Sequence, residues 1–90
     1  MNPKPLRVEP LSRNRLRLFF ENGEKRIFDA SAWLERGLFS ELKDKELFRG
    51  VRISFDSVEW PNGADICPEL LYEQSVPATD EAAEDEPDYR

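Results

Sequence analysis

One short stretch, Trp60 to Asp65, combines an indole, a carboxamide and a carboxylate within six residues. Trp60, Asn62 and Asp65 could together contact a partner or a ligand. The same stretch also suits a structural corner, because Pro61 presets φ for a turn and Gly63 can take the left-handed conformation. In that case Trp60 fills the core and the polar side chains bond turn amides. The sequence leaves both interpretations open.

Basic side chains provide the second candidate surface. Arg15 and Arg17 alternate with apolar residues, so a strand would place both on one face. Further basic residues occur nearby in the sequence, at Arg7, Arg13, Lys25 and Arg26. Such a strip could bind single-stranded nucleic acid only if aromatic rings were exposed among the cations, and Phe19 is the candidate for that. The alternatives are a solvated face and a surface that receives the acidic end of the chain.

The residue types that catalysis and metal binding need are scarce. The chain has no histidine, which removes the commonest general base, and it has a single cysteine, Cys67. Its acids are scattered, and no glycine-rich phosphate loop is present. We therefore expect a protein that is not an enzyme, with no catalytic residues, no metal and no cofactor. Cys67 is interpreted as a small, semi-buried filler.

The negative charge is concentrated at the C-terminal end. The chain of 90 residues has 19 acidic and 13 basic residues, and seven of the acids lie in residues 73–90 against the single base Arg90. Residues 1–72 therefore contain 12 of each sign, which lacks the basic footprint of a DNA-binding protein. Direct DNA binding is not expected. The division predicts one domain over residues 1–73 and a disordered acidic tail over residues 74–90.

The sequence predicts neither export nor membrane insertion. It shows no charged and apolar leader, and it contains no apolar run of about 18 residues. One cysteine cannot form a disulfide within the chain. These features favour a soluble protein of the reducing cytoplasm.

Alternating apolar residues predict an N-terminal edge strand over residues 6–11 and a hairpin over residues 15–29. The Asn-Gly pair at residues 22–23 is typical of a hairpin turn. A two-residue loop would pair Leu18 with Ile27, whereas a bulged turn would shift the pairing by one residue. The register therefore stays open.

The middle of the chain predicts two short helices, over residues 30–36 and 44–49, each followed by a glycine. Residues 51–55 and 58–60 predict a second hairpin with its turn at residues 56–57, which places Phe55 on the apolar face of its strand. A third short helix begins at Pro68. The fold class is α+β, with a mainly antiparallel sheet of two hairpins and an N-terminal strand, and two or three short helices.

Several motifs together resemble the bacterial Domain of Unknown Function 2442 family. They are Phe20-Glu21-Asn22-Gly23-Glu24, Phe28-Asp29, Leu47-Phe48, Val51, Trp60-Pro61-Asn62-Gly63-Ala64-Asp65-Ile66, Pro68-Glu69 and Leu71-Tyr72. The resemblance covers roughly residues 5–73 and implies a small α+β domain without catalytic residues or cofactor. It also implies pairing with a second small protein, as in toxin-antitoxin-like modules.

These patterns favour a protein-protein interaction or regulatory module, and an antitoxin-like role is the form that the resemblance implies. The candidate partner-binding residues are Trp60, Asn62, Asp65, Arg15 and Arg17. The alternatives are a small-molecule-binding domain and a nucleic-acid-associated adaptor. The acidic tail could order on a partner or fold back on the arginine face. The partner and the oligomeric state stay open.

Overall fold

Seven short strands and two short α-helices follow one another in a computed structural model that describes residues 2–78. The strands are β1 Pro5–Leu11, β2 Arg15–Phe20, β3 Lys25–Asp29, β4 Arg52–Ser54, β5 Ser57–Glu59, β6 Asp65–Ile66 and β7 Val76–Pro77, and the α-helices are α1 Lys45–Phe48 and α2 Pro68–Gln74. Three 3₁₀ turns lie at Ser12–Asn14, Ser31–Trp33 and Gly37–Lys43. The predicted α+β class with antiparallel strands is confirmed.

The strands form two sheets, whereas the sequence predicted one. The first sheet has the order β1-β2-β3-β7 and the second has the order β4-β5-β6. Every described pairing in them is antiparallel. The inner faces of both sheets contribute to one hydrophobic core, in which Leu18 of the first sheet and Val58 of the second are fully buried. The sheets are therefore held together by side-chain packing, and each keeps an outer face.

The first hairpin resolves the open register in favour of the bulged turn. Leu18 pairs with Arg26, one residue away from the alternative partner Ile27. The Phe20 N–H donates to the Glu24 carbonyl oxygen at 2.9 Å, so the loop between this pair has three residues, 21–23, of which only Gly23 has a positive φ, of 91°. Asn22 contributes through its side chain, because its Oδ1 accepts a hydrogen bond from the Glu24 N–H at 3.0 Å. The turn therefore uses asparagine as a cap and glycine as the left-handed residue.

The helical segment, residues 31–48 between β3 and β4, is built from very short elements. Asp29 Oδ1 accepts a hydrogen bond from the Ser31 N–H, and Asp44 Oδ1 accepts one from the Glu46 N–H at the start of α1, both at 2.9 Å. Asp44 therefore caps α1, whereas the residue at the N-cap position of the first 3₁₀ turn is Ala30, and Asp29 lies one residue before it. The first predicted helix is only a 3₁₀ turn, because two turns of chain cannot sustain an α-helix without tertiary contacts. Its anchor to the core is Leu34, which is buried.

The described structure continues beyond the predicted domain boundary at residue 73. Ser75 is buried, and Arg26 donates to its Oγ and its carbonyl oxygen, both at 2.7 Å. β7 then pairs with β3, with Val76 opposite Ile27. The sequence missed this strand because its two residues are too few to show alternation. The rest of the predicted acidic tail, residues 79–90, lies outside the described residues.

Tyr72 fastens α2 to the first hairpin. Its ring packs edge-on against Phe20 with centroids 5.2 Å apart, and its hydroxyl donates to Glu24 Oε2 at 2.7 Å. This hydrogen bond, together with one from Arg26, lowers the pKa of the Glu24 carboxyl below its usual value, and it raises the pKa of the Tyr72 phenol. Tyr72 and Glu24 therefore link the C-terminal segment to the turn of the first hairpin.

A pair of truncations tests the position of the domain boundary. A chain that ends at residue 73 loses β7 and both hydrogen bonds from Arg26 to Ser75, so its free energy of unfolding should fall by about 2–4 kcal/mol. A chain that ends at residue 78 keeps these contacts and should match the full chain within about 0.5 kcal/mol. Urea denaturation measures both values. Equal stability of the two truncated chains would contradict the extended boundary.

Candidate functional site

Trp60 points into the core and cannot contact a partner. Its side chain is 1% exposed, and its Nε1–H donates to the carbonyl oxygen of Phe48 at 3.0 Å. Its ring packs against Phe48 and Phe39, with centroid separations of 5.8 Å and 6.1 Å. This burial supports the interpretation in which Trp60 fills the core. Trp60 connects the end of β5 to the helical segment.

Asn62 also has a structural role. Its Oδ1 accepts a hydrogen bond from the Ala64 N–H at 3.1 Å, as Asn22 does in the first hairpin. Its Nδ2 donates to the Leu38 carbonyl oxygen at 3.1 Å and to Glu41 Oε1 at 2.8 Å. Asn62 therefore caps its turn and ties it to the 3₁₀ turn at residues 37–43.

Close packing between Pro61 and Gly50 completes this corner. A Cβ atom on Gly50 would lie 2.7 Å from Pro61 Cγ, which is closer than nonbonded carbon atoms approach. The φ of Gly50 is not positive, so glycine is needed here because a side chain would clash with Pro61 and not because of its backbone conformation. Gly63 has the opposite role, because its φ of 95° requires glycine while nothing crowds its Cα.

Asp65 points the other way, onto the outer face of the second sheet. Cross-strand pairing aligns Arg52, Glu59 and Asp65 in one row. Arg52 Nη2 lies 3.2 Å from Glu59 Oε1, so this ion pair balances one of the two carboxylates. The side chain of Asp65 is exposed and has no ion-pair partner among residues 2–78. Two carboxylates on directly opposite residues disfavour each other, and a cation brought by a partner would relieve this.

Phe55 is the residue that the sequence interpretation missed. Ser54 pairs with Ser57, so the turn consists of Phe55 and Asp56, with φ values of 51° and 73°. The Phe55 side chain is 97% exposed, whereas the alternation of residues 51–55 predicted it on the apolar face of a strand. That prediction was wrong. The signal that could have corrected it is charge, because a turn at residues 55–56 brings Arg52 opposite Glu59.

The outer face of the second sheet forms a shallow, open depression. Its volume is about 360 Å³, and it is lined by Arg52, Ser54, Phe55, Ser57, Glu59 and Asp65. An ion pair of Lys4 with Asp56, at 3.6 Å, ties the hairpin tip to the chain just before β1. We call this face, with the Phe55 tip, the outer surface of the second sheet.

The predicted arginine strip lies elsewhere, on the outer face of the first sheet. Arg15 and Arg17 are half-buried there, and Arg17 Nη1 lies 2.7 Å from Glu9 Oε1. Phe19 shares this face but lies beneath cations, with Arg7 Cζ 4.9 Å and Lys25 Nζ 5.9 Å from its ring centroid. The strip and Asp65 therefore belong to different sheets and do not form one site.

Among residues 2–78, no group of three or more cysteine and acidic side chains is arranged to hold a metal ion.

Cys67 is exposed, which corrects the expectation of a semi-buried filler, because it precedes α2 on the surface. Across residues 2–78, no helix has the length and apolar character needed to cross a membrane.

Matched alanine substitutions measure what Asn62 adds to its turn. Asn22→Ala removes the turn cap and an exposed hydrogen bond from Asn22 Nδ2 to Glu24 Oε2 within the same hairpin, and it should cost about 0.5–1 kcal/mol of unfolding free energy. Asn62→Ala also removes the hydrogen bonds to Leu38 and Glu41, so it should cost about 1 kcal/mol more. Urea denaturation of both variants gives the difference. A cost no larger for Asn62→Ala than for Asn22→Ala would show that Asn62 does not hold the helical segment.

Comparison with known proteins places this architecture in a family. Residues 5–77 match the model of the family described as Protein of unknown function (DUF2442). Neither the curated proteins nor the solved structures provide a match. The matched region contains all seven strands and both α-helices, and it includes β7. The resemblance seen in the Trp60–Asp65 and Asn22–Gly23 motifs is confirmed, and the chain belongs to the DUF2442 family.

Proposed function

We propose that this protein is a non-enzymatic interaction module of the cytoplasm that binds a protein partner through the outer surface of the second sheet. The observation that carries the proposal is Phe55, a large apolar side chain that is 97% exposed on a turn with two positive φ values. The specific form proposed is a regulatory or antitoxin-like protein that pairs with a second small protein.

The backbone conformation of Phe55 costs free energy in the folded chain. A non-glycine residue with φ near 51° costs about 1–2 kcal/mol relative to the right-handed region, and two-residue turns of this kind favour Asn-Gly or Asp-Gly. The ring buries almost nothing within residues 2–78, so no packing offsets this cost. Burial against a partner would contribute about 1.5–3 kcal/mol. The backbone strain and the exposure of the ring together support a role for Phe55 in binding a partner.

The shape and charge of the surface also fit a protein partner. Small-molecule sites are usually enclosed and mostly apolar, whereas this depression is open and lined mainly by polar side chains. An exposed aromatic residue beside polar side chains resembles the anchor of a protein interface. Asp65 gives the surface an unbalanced carboxylate, which favours a partner that presents a basic side chain beside the Phe55 ring.

Substitution of Phe55 separates binding from folding. Phe55→Asn places a residue that tolerates positive φ in the turn, so the free energy of unfolding should rise by about 0.5–1 kcal/mol while partner binding falls by tenfold or more. Quantitative affinity capture from extract of the host cell, together with urea denaturation, measures both effects.

Leu38→Ser is the matched control, because Leu38 is also exposed, at 49%, but lies in the helical segment. It should leave capture unchanged. A Phe55→Asn variant that retains every captured protein at the wild-type level would refute the proposed surface.

A further inference from the structure

The free edges of the two sheets differ in whether another strand can pair with them. Edge strands expose main-chain N–H and C=O groups, to which an extended segment of another protein can bond. Among residues 2–78, the edge strands are β1 and β7 in the first sheet and β4 and β6 in the second. Three of these edges are obstructed, and β6 is the one that stays available.

A proline and neighbouring structure obstruct the other three edges. The Ala78 N–H donates to the Lys25 carbonyl oxygen at 2.9 Å, and this register turns the main chain of Pro77 away from β3. Since proline has no N–H, the β7 edge cannot form a complete ladder. β1 and β4 lie next to each other, and the ion pair of Lys4 with Asp56, at 3.6 Å, joins the chain before β1 to the tip after β4. Each of these two strands therefore limits access to the other.

The β6 edge directs its main-chain groups outward at Asp65. The Trp60 N–H donates to the Ala64 carbonyl oxygen at 2.9 Å, and hydrogen-bonded pairs then alternate along β5 and β6. Glu59 and Asp65 oppose each other one residue further along, so they are not a hydrogen-bonded pair. The N–H and C=O of Asp65 therefore point away from β5, to a side where β6 has no strand neighbour among residues 2–78.

The chain around this residue is also exposed. Gly63, Asp65 and Cys67 are all exposed. Cys67 is extended, with φ −71° and ψ 158°, so the edge continues to the start of α2 at Pro68. Alternation directs the Cys67 N–H to the same side as the main-chain groups of Asp65. A short extended segment can therefore pair with this edge.

The Asp65 side chain determines which residue the added strand should present. Arg52, Glu59 and Asp65 form one row, with Asp65 at its end. A strand beside β6 adds a position directly opposite Asp65, where a further carboxylate is disfavoured and a cation is favoured. A second copy of this chain fits poorly, because pairing two β6 edges about Asp65 opposes two carboxylates. Charge therefore favours a different protein with a basic residue at this position.

We propose that a partner protein adds an extended strand to the β6 edge, with a lysine or arginine directly opposite Asp65. The main chain supplies the affinity, and the Asp65 carboxylate supplies the selectivity. The next partner side chain on the same face lies opposite Cys67, towards the Phe55 tip. The inference rests on the proposed function, since Asp65 lies on the outer surface of the second sheet, and it specifies how the partner binds there.

Short peptides blocked at both ends are the probes, and the amide spectrum of the full chain is the readout. The first peptide has a central lysine among valine and threonine residues, the second has glutamate in its place, and the third has the lysine with a methylated main-chain nitrogen. The lysine peptide should shift the Asp65 and Cys67 amide signals and slow hydrogen exchange at the Asp65 N–H, which becomes bonded. The other two should bind several-fold more weakly, since one opposes like charges and the other lacks the donor to the Asp65 carbonyl oxygen.

Charge exchange at position 65 supplies the matched comparison. Asp65→Lys should reverse the preference, so that the glutamate peptide binds more tightly than the lysine peptide. Glu73→Lys changes the net charge equally, but at an exposed position of α2, and it should keep the original preference. Amide spectra show whether each variant is folded.

The proposal would be overturned if the lysine peptide left the Asp65 and Cys67 signals unshifted, if the methylated peptide bound as tightly, or if Asp65→Lys kept the preference for lysine. Concentration-dependent shifts of these signals without peptide would also overturn it, in favour of a second copy as the occupant. The proposed function would survive each of these results if Phe55→Asn still lost capture, because Phe55 is not part of the β6 edge.

Discussion

The buried hydrogen bond from the Trp60 indole to the Phe48 carbonyl is the contact on which the fold depends most. Phe48 ends a four-residue helix, and the elements before it are 3₁₀ turns that cannot persist without tertiary support. Trp60 supplies this support through two aromatic neighbours and one hydrogen bond. The same hydrogen bond satisfies the indole N–H, which would cost about 1–3 kcal/mol if it were buried without an acceptor. The packing of Gly50 against Pro61 reinforces the same junction.

The orientation of Trp60 also decides which residues face outward. Side chains alternate along strands, so a hairpin that buries Val58 and Trp60 must place Glu59 on the other face. Pairing then carries Arg52 and Asp65 to that face as a charged row. The charged row on this face is therefore a consequence of core packing. Phe55 is not, because the core gains nothing from an exposed ring on a left-handed turn. That contrast makes the tip the best candidate for a function outside the domain.

Sequence patterns predicted the parts of the fold that local chemistry determines. Alternation located the first hairpin, and local capping chemistry accounts for the start of α1, where the Asp44 carboxylate satisfies a free amide. Sequence patterns could not decide between alternatives that depend on contacts with residues distant in the sequence. The apolar alternation of residues 51–55 suggested a buried Phe55, whereas the pairing of Arg52 with Glu59 and of Ile53 with Val58 moves it into the turn. Likewise, the direction of Trp60 could not be determined without knowing that Phe48 and Phe39 surround it. Of the five candidate residues, Asp65 alone lies on the proposed surface.

Site-specific photo-cross-linking in the host cell tests the central claim, that a partner covers the tip of the second sheet. A photoreactive phenylalanine analogue at position 55 keeps the aromatic ring and reports what lies against it. The same analogue at position 38 serves as the exposed reference. We predict a discrete cross-linked species from position 55 and none from position 38. No cross-link at position 55, or the same products from both positions, would contradict the account.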